Sequence, residues 1–485
     1  IIAVLFLSYS SLSLAPHYAT IKTVYEYGKE GQNHLTQAEG FIKKQDFKAS
    51  SLELAGAEKS FVSAQQGLAE IKKASLFKWP YFFNQVVVAE DILAIGENLS
   101  HSLQKITAVG EEVMATMGNK QMSFLQIDVE TKGRILAILL KSINNLKDVQ
   151  RDFNGMSETL VDINKRNPMF IFNKVIDPLQ TNIPKIQKTF DSALTILKVL
   201  PTFAGYPEKK TFLLILENNR EMRPSGGFIG TYGILEIENA EIKNFYTDNS
   251  YNLDVKAIPF MTMPAPDPII EYMKQQYWFF RDANWWPDFP TSARKVEEFY
   301  KEEGGVEKLD GTIAFTPTVM EGLLSVLGEF TVADLKFNKD NFWDQLQYQV
   351  EFGYYRQGIA AKDRKDIIGD LGRQIVMKLY TIPLADWPKL IDIMEKEVKE
   401  KQLLIYFHDL DAQKVARESG WAGEVKDFSA DYLQLVDANL AALKTDAVMD
   451  RTLVYNLRET DKGEIIAEAR VNYQNTGAFS WKTTR

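Results

Sequence analysis

The stretch Phe212–Asp248, FLLILENNREMRPSGGFIGTYGILEIENAEIKNFYTD, decides how the centre of this chain is read. An apolar run of strand length stops at Glu217 and gives way to a loop rich in Asn, Arg, Pro, Ser and Gly. A second strand and a hairpin follow, with Asn239-Ala240 at the tight turn. Strands that end in such polar, backbone-flexible loops are where functional residues concentrate. A companion stretch, Trp278–Ala293, WFFRDANWWPDFPTSA, crowds charges and aromatics before a helix start. The two loops together are the candidate site.

Working outward on the C-terminal side, strands are expected at Thr211–Leu216, Ile229–Glu238, Glu241–Tyr246 and Leu309–Phe315. IPFMTMPAPDP reads as a long irregular loop, and Thr291–Glu303 as a helix after Pro290. Thr316-Pro317 supplies a cap and a first-turn proline for a helix ending at Gly328. Further helices are expected over Asn341–Gln357, Asp366–Tyr380, Asp386–Lys401 and Ala412–Ser419, with a strand at Leu403–Phe407. This mixture predicts an α/β or α+β domain over 206–443, with helices packed on a mixed sheet. Arg451–Glu459 and Glu464–Asn472 alternate around the turn signal Asp461-Lys462-Gly463 and read as the start of a truncated β-rich domain, 444–485.

On the N-terminal side, residues 16–205 read as a helical bundle or stalk. Leu54, Ala57, Phe61, Ala64, Leu68 and Ile71 alternate spacings of three and four, the seam of closely packed antiparallel helices. A second stripe runs through Val88, Ile92, Ile95 and Leu99, a third through Leu136, Leu146, Phe153 and Leu160, and a fourth through Ile186, Phe190, Ala193, Leu197 and Leu200. Breaks are expected at Trp79-Pro80, near Gly118-Asn119, and at Pro168, Pro178 and Pro184. One segment faintly suggests a tetratricopeptide pair, but no second copy exists, so a repeat array is not expected. The apolar stretch 1–15, IIAVLFLSYSSLSLA, reads as the outer part of a transmembrane helix or uncleaved anchor. That reading makes the protein a single-pass membrane chain attached through this helix, with the rest of it on one side of the membrane.

Composition narrows the chemistry. The 485 residues carry a net charge of -9, which argues against nucleic acid as a partner. The absence of cysteine removes disulfides, zinc-thiolate sites and thiol nucleophiles together. No Gly-Lys-Ser/Thr phosphate loop, zinc-type HExxH or GxSxG elbow occurs, and the histidines His17, His34, His101 and His408 are scattered. Arginine and carboxylate chemistry remains. Arg220, Arg223 and Arg281 present planar donor forks that suit phosphate. Ser225 and the Gly226-Gly227 backbone add donors. Asp248, Asp254, Asp282 and Asp288 are oxygen donors of the kind magnesium takes, which makes magnesium the candidate cofactor. Against this stands a structural reading, in which Arg223 pairs with Asp282 or Asp288 and merely ties two loops together.

At LLILENNREMRPSGGFIGTYG, RDANWWPDFPTSA, LDGTIAFTPTVMEGLLSVLG and DYLQLVDANLAALKTDAVMDR the chain resembles a bacterial envelope family known as domain of unknown function 4012. The resemblance implies a single-pass envelope protein of the bacterial plasma membrane with its bulk outside the cytoplasm, and no particular activity. A fainter similarity connects the order of elements with the LytR-CpsA-Psr phosphotransferases, which move cell-wall glycopolymers from a polyprenyl-pyrophosphate carrier. It implies that Arg223 stands at the phosphate-binding arginine. The carboxylate positions of that pattern are instead Asn218 or Asn219 and Gly226 here, departures that weigh against magnesium and catalysis. The leading expectation is an extracytoplasmic protein that binds or transfers a phosphate-linked glycan or polyprenyl-phosphate carrier, with no catalytic residue identified. The alternative is a non-catalytic scaffold or adhesion protein.

Overall fold

The computed structural model describes residues 18–73, 80–118, 124–305, 307–382, 386–441 and 443–478. They fall into two compact units. One is built from residues up to Pro201, and the other from Thr202 onward together with a short piece around Gln126.

The first unit is helical: α1 (Tyr18–Lys43), α2 (Phe47–Ile71), α3 (Pro80–Thr116), α4 (Val129–Lys165) and α5 (Asn173–Phe203). Asp46 starts α2 by accepting a hydrogen bond from the Ala49 amide at 3.0 Å, a cap that satisfies an otherwise unpaired donor. The whole α2 seam from Leu54 to Ile71 is buried. Its centre is Phe61, against which any Cβ at Gly31 of α1 or Gly96 of α3 would lie within 3 Å. Those two glycines let three helices close on one ring. The second and third stripes also face inward, through Val88, Ile95, Leu99, Phe153 and Leu160. The fourth is displaced. Ile176, Ile183, Leu194, Val199 and Pro201 are the buried positions of α5, while Ile186 is exposed. The expected breaks at Pro178 and Pro184 do not occur, because both prolines lie inside a continuous α5. A proline removes one backbone donor and can kink a helix without ending it.

In the second unit, β1 (Lys210–Asn218), β2 (Phe228–Glu238), β3 (Glu241–Asn249), β4 (Gly311–Phe315) and β7 (Leu403–Phe407) form one sheet in the order β3-β2-β1-β4-β7. Only β1 and β4 run parallel, with Leu214 opposite Ile313. Strand alternation divides the faces. Leu213, Ile215, Tyr232 and Ile234 pack against α6 (Ser250–Ala257), the irregular 261–286 loop and α7 (Phe289–Glu302). On the other face, α10 (Asp366–Thr381) approaches β3 closely, since a Cβ at Gly369 or Gly372 would strike Thr247 or Phe245. Helix α8 (Pro317–Leu327) leaves the carboxyl end of β4. It is followed by the short pair β5 (Phe330–Val332) and β6 (Leu335–Phe337), α9 (Phe342–Tyr348), α11 (Trp387–Lys399) and α12 (Leu410–Glu418). The expected helix over 341–357 is continuous from Phe342 to Arg356, with a π-helical turn at Gln349–Gly353 following α9. The chain closes with a two-stranded hairpin, β8 (Met449–Glu459) and β9 (Ile465–Asn475).

One expectation of fold class and placement is corrected. The proposed membrane helix at 1–15 lies outside the described residues, and among the described residues no helix is long and apolar enough to cross a membrane. The single-pass plasma-membrane placement and the attachment through that helix therefore have no structural basis.

Candidate functional site

The loop after β1 folds back on its own strand. The Glu221 amide donates to the Asn218 carbonyl, and the Phe228 amide closes the loop on the Glu221 carbonyl at 2.8 Å. Gly227 sits where a Cβ would lie 2.3 Å from the Asn218 backbone, and a Cβ at Gly226 would meet a Glu217 carboxylate oxygen at 2.5 Å. The Gly226 amide donates to the Arg223 carbonyl. The glycines thus serve close packing of the loop, and the Gly226 N–H is already used.

Arg223 is the centre of the arrangement, and its side chain is wholly buried. It donates to Asp282, itself 0% exposed, at 3.1 Å, and to the carbonyls of Met222 and Asn439. Its guanidinium also lies 5.2 Å from the Phe228 ring centre. Arg281 pairs with the buried Asp254, reaches Gln275, and lies 4.9 Å from the Tyr251 ring centre. Asp254 neighbours a second buried acid, Glu303, which accepts the Phe280 amide at 2.7 Å. Burial first, and then the Asp254 charge, push the Glu303 carboxyl far above its usual range, so the pair shares one negative charge with Arg281 beside it.

Ser225 belongs to a neighbouring buried knot. Its hydroxyl donates to Glu217 at 2.5 Å, and the Asn284 amide donates to Glu217, Ser225 and the Gly227 carbonyl, each at 2.8 Å. Burial pushes the Glu217 carboxyl up to about 7, against the opposing pull of those two donors.

The carboxylates expected to take a metal are occupied and separate. Asp248 accepts from Asn249 and Asn252. Asp288 caps α7 through Thr291 and also holds the Val425 amide. Asp282 is committed to Arg223. Among the described residues no group of three or more acidic or histidine side chains could hold a metal ion. The residues present do not fit magnesium.

Arg220 lines a cleft of about 130 Å³ with Asn219, Pro317, Thr318, Glu321 and Trp343. The cleft opens at the carboxyl ends of the parallel pair β1 and β4, where open sheets of this kind take ligands. The guanidinium lies 4.7 Å from the Trp343 ring centre and 3.7 Å from Asp344. Asn219 is held by Thr318 and Gln402. Partial burial lowers the Arg220 pKa, and the Asp344 and Glu321 charges oppose that shift.

Residues 207–350 match the model of a family described as Protein of unknown function (DUF4012). The chain carries a DUF4012 segment. It includes the Arg223 loop, the Arg281–Asp288 stretch and the Arg220 cleft, and leaves out Asn439, which completes the Arg223 clamp. No curated protein and no solved structure matches the chain, and the similarity to LytR-CpsA-Psr phosphotransferases is not supported by these comparisons.

Sequence reasoning selected the two loops and named the Arg223–Asp282 pairing as one reading. It missed Glu217, Asn284, Glu303 and Asn439. A lone Glu at the end of an otherwise apolar strand was the available signal for Glu217. Asn439 lies 216 residues from Arg223, and nothing local marks it.

Proposed function

We propose that this chain is a non-catalytic scaffold or interaction protein, in which the Arg- and Asp-rich loops of the DUF4012 segment lock the sheet to its covering loops. The burial of Arg223 carries this reading. Four of its N–H donors go to Asp282 and two carbonyls and its Nη2 also lies 3.8 Å from Glu221, leaving no fork for a phosphate. The engagement of Asp248, Asp282 and Asp288 in hydrogen bonds of the fold supports the same reading. The test is Arg223→Ala in denaturant unfolding. Breaking a buried pair by removing one partner costs about 3–5 kcal/mol, and the scaffold reading predicts a loss of that size.

A second reading is favoured by the Arg220 cleft alone. A phosphate-bearing group could meet Arg220, Asn219 and the first turn of α8 there. Glu321 and Asp344 already counter the Arg220 charge, so the ligand must compete with both. Calorimetric titration with a soluble polyprenyl-phosphate analogue tests it. Saturable heat lost in Arg220→Ala supports the phosphate reading, and no heat in either protein leaves the scaffold reading standing.

A further inference from the structure

Lys365 precedes α10 and turns its amine toward the strand end rather than outward. The Nζ donates to the Gly230 carbonyl of β2 and to Asn249 Oδ1 at 3.0 Å, and lies 5.8 Å from the Tyr251 ring centre. Two acceptors satisfy both N–H bonds of an uncharged amine and leave its lone pair free. No carboxylate among the described residues lies within ion-pair distance of it. The acids whose charges act on it are engaged elsewhere: Glu351 holds Lys444 at 2.9 Å and Arg364 at 3.4 Å, and Glu221 faces Arg223 at 3.8 Å. Burial, reinforced by the Arg364 and Lys444 charges and opposed by Glu351 and Glu221, brings the amine down to about 7. Gly230 has no side chain to shield the nitrogen, since a Cβ there would stand 3.3 Å from it. The residue as a whole keeps partial exposure.

We propose that Lys365 is a carbamylation site, at which the ε-amine captures carbon dioxide beside the cations Arg364 and Lys444. The nitrogen lone pair attacks the carbon of CO2 and a C–N bond forms. One C=O electron pair moves onto oxygen, and one N–H proton leaves to water. The product is a carbamate anion. The remaining N–H keeps one of its two acceptors, and the new negative charge falls in the field of two cations that share a single carboxylate, Glu351. An ordinary surface lysine, charged near neutral pH and fully hydrated, offers neither condition.

The experiment is carbon-13 NMR of the full chain in carbon-13 bicarbonate at pH 8, compared with Lys365→Met and with Lys362→Met. The proposal expects one carbamate resonance in the wild type and in Lys362→Met, absent in Lys365→Met. Arg364→Gln and Lys444→Gln should each weaken it at least severalfold. Alkylative trapping of the wild-type carbamate, followed by peptide mass spectrometry, covers the case in which Lys365→Met does not fold, and should place the adduct on Lys365. No carbamate resonance in the wild type, or a trapped adduct only on other lysines, overturns the proposal.

Discussion

Glu217 shows at the residue scale how this site trades charge for packing. It stands one residue before the end of β1, is buried, and has two donors but no cation within ion-pair distance among the described residues. Its carboxyl therefore holds a proton up to about pH 7 in the folded chain, against an ordinary value near 4.5. Below pH 4.5 both folded and unfolded chains are protonated there. Between 4.5 and 7 the folded chain binds more protons, so stability falls as pH rises through that window. The shift corresponds to a loss on the order of 3 kcal/mol. Glu217→Gln should flatten this part of the stability–pH curve and unfold at a higher denaturant concentration than wild type above pH 7. An unchanged slope would remove Glu217 from the account. Residue by residue, the sequence made the arginine loops conspicuous but could not give their direction. An Arg in a Gly-rich loop looks the same whether it points at solvent or at a buried Asp 59 positions away.

At the scale of elements, local rules carried most of the reading. The strand Leu403–Phe407 has its expected bounds, and α7 begins within two residues of its expected start. Asp288 explains the second case, since it is both the α7 cap and the anchor of the Val425 amide. It was expected as a metal ligand, but a carboxylate just before a Phe-Pro-Thr helix start is first of all a cap. Asp288→Ala should cost about 1 kcal/mol, within the 0.5–2 range of lost caps, read as a shift in the unfolding midpoint with unchanged slope. Elements failed where the rule was graded rather than absolute. The prolines predict stops at Pro178 and Pro184, yet α5 runs through both, with Ile176, Ile183 and Leu194 buried along it.

At the scale of the whole molecule, the division near residue 201 places the sheet and the elements covering both its faces within the second unit. Residues 202–485 expressed alone should therefore fold, with a cooperative thermal transition and dispersed amide resonances. A chain that stays disordered would show that the sheet depends on the helical unit. The clamp on Arg223 also belongs to this scale, since Asp282 and Asn439 reach it from 59 and 216 residues away. Such a contact is invisible to any window of sequence, which is why the loops were legible and their purpose was not. The most direct test of that purpose is the unfolding free energy of Arg223→Ala beside Arg220→Ala, measured in urea under identical conditions. The structural account predicts a loss of about 3–5 kcal/mol for the buried Arg223 and within about 1 kcal/mol for the partly exposed Arg220. An Arg223→Ala protein as stable as wild type would contradict it and return this arginine to the role of a ligand grip.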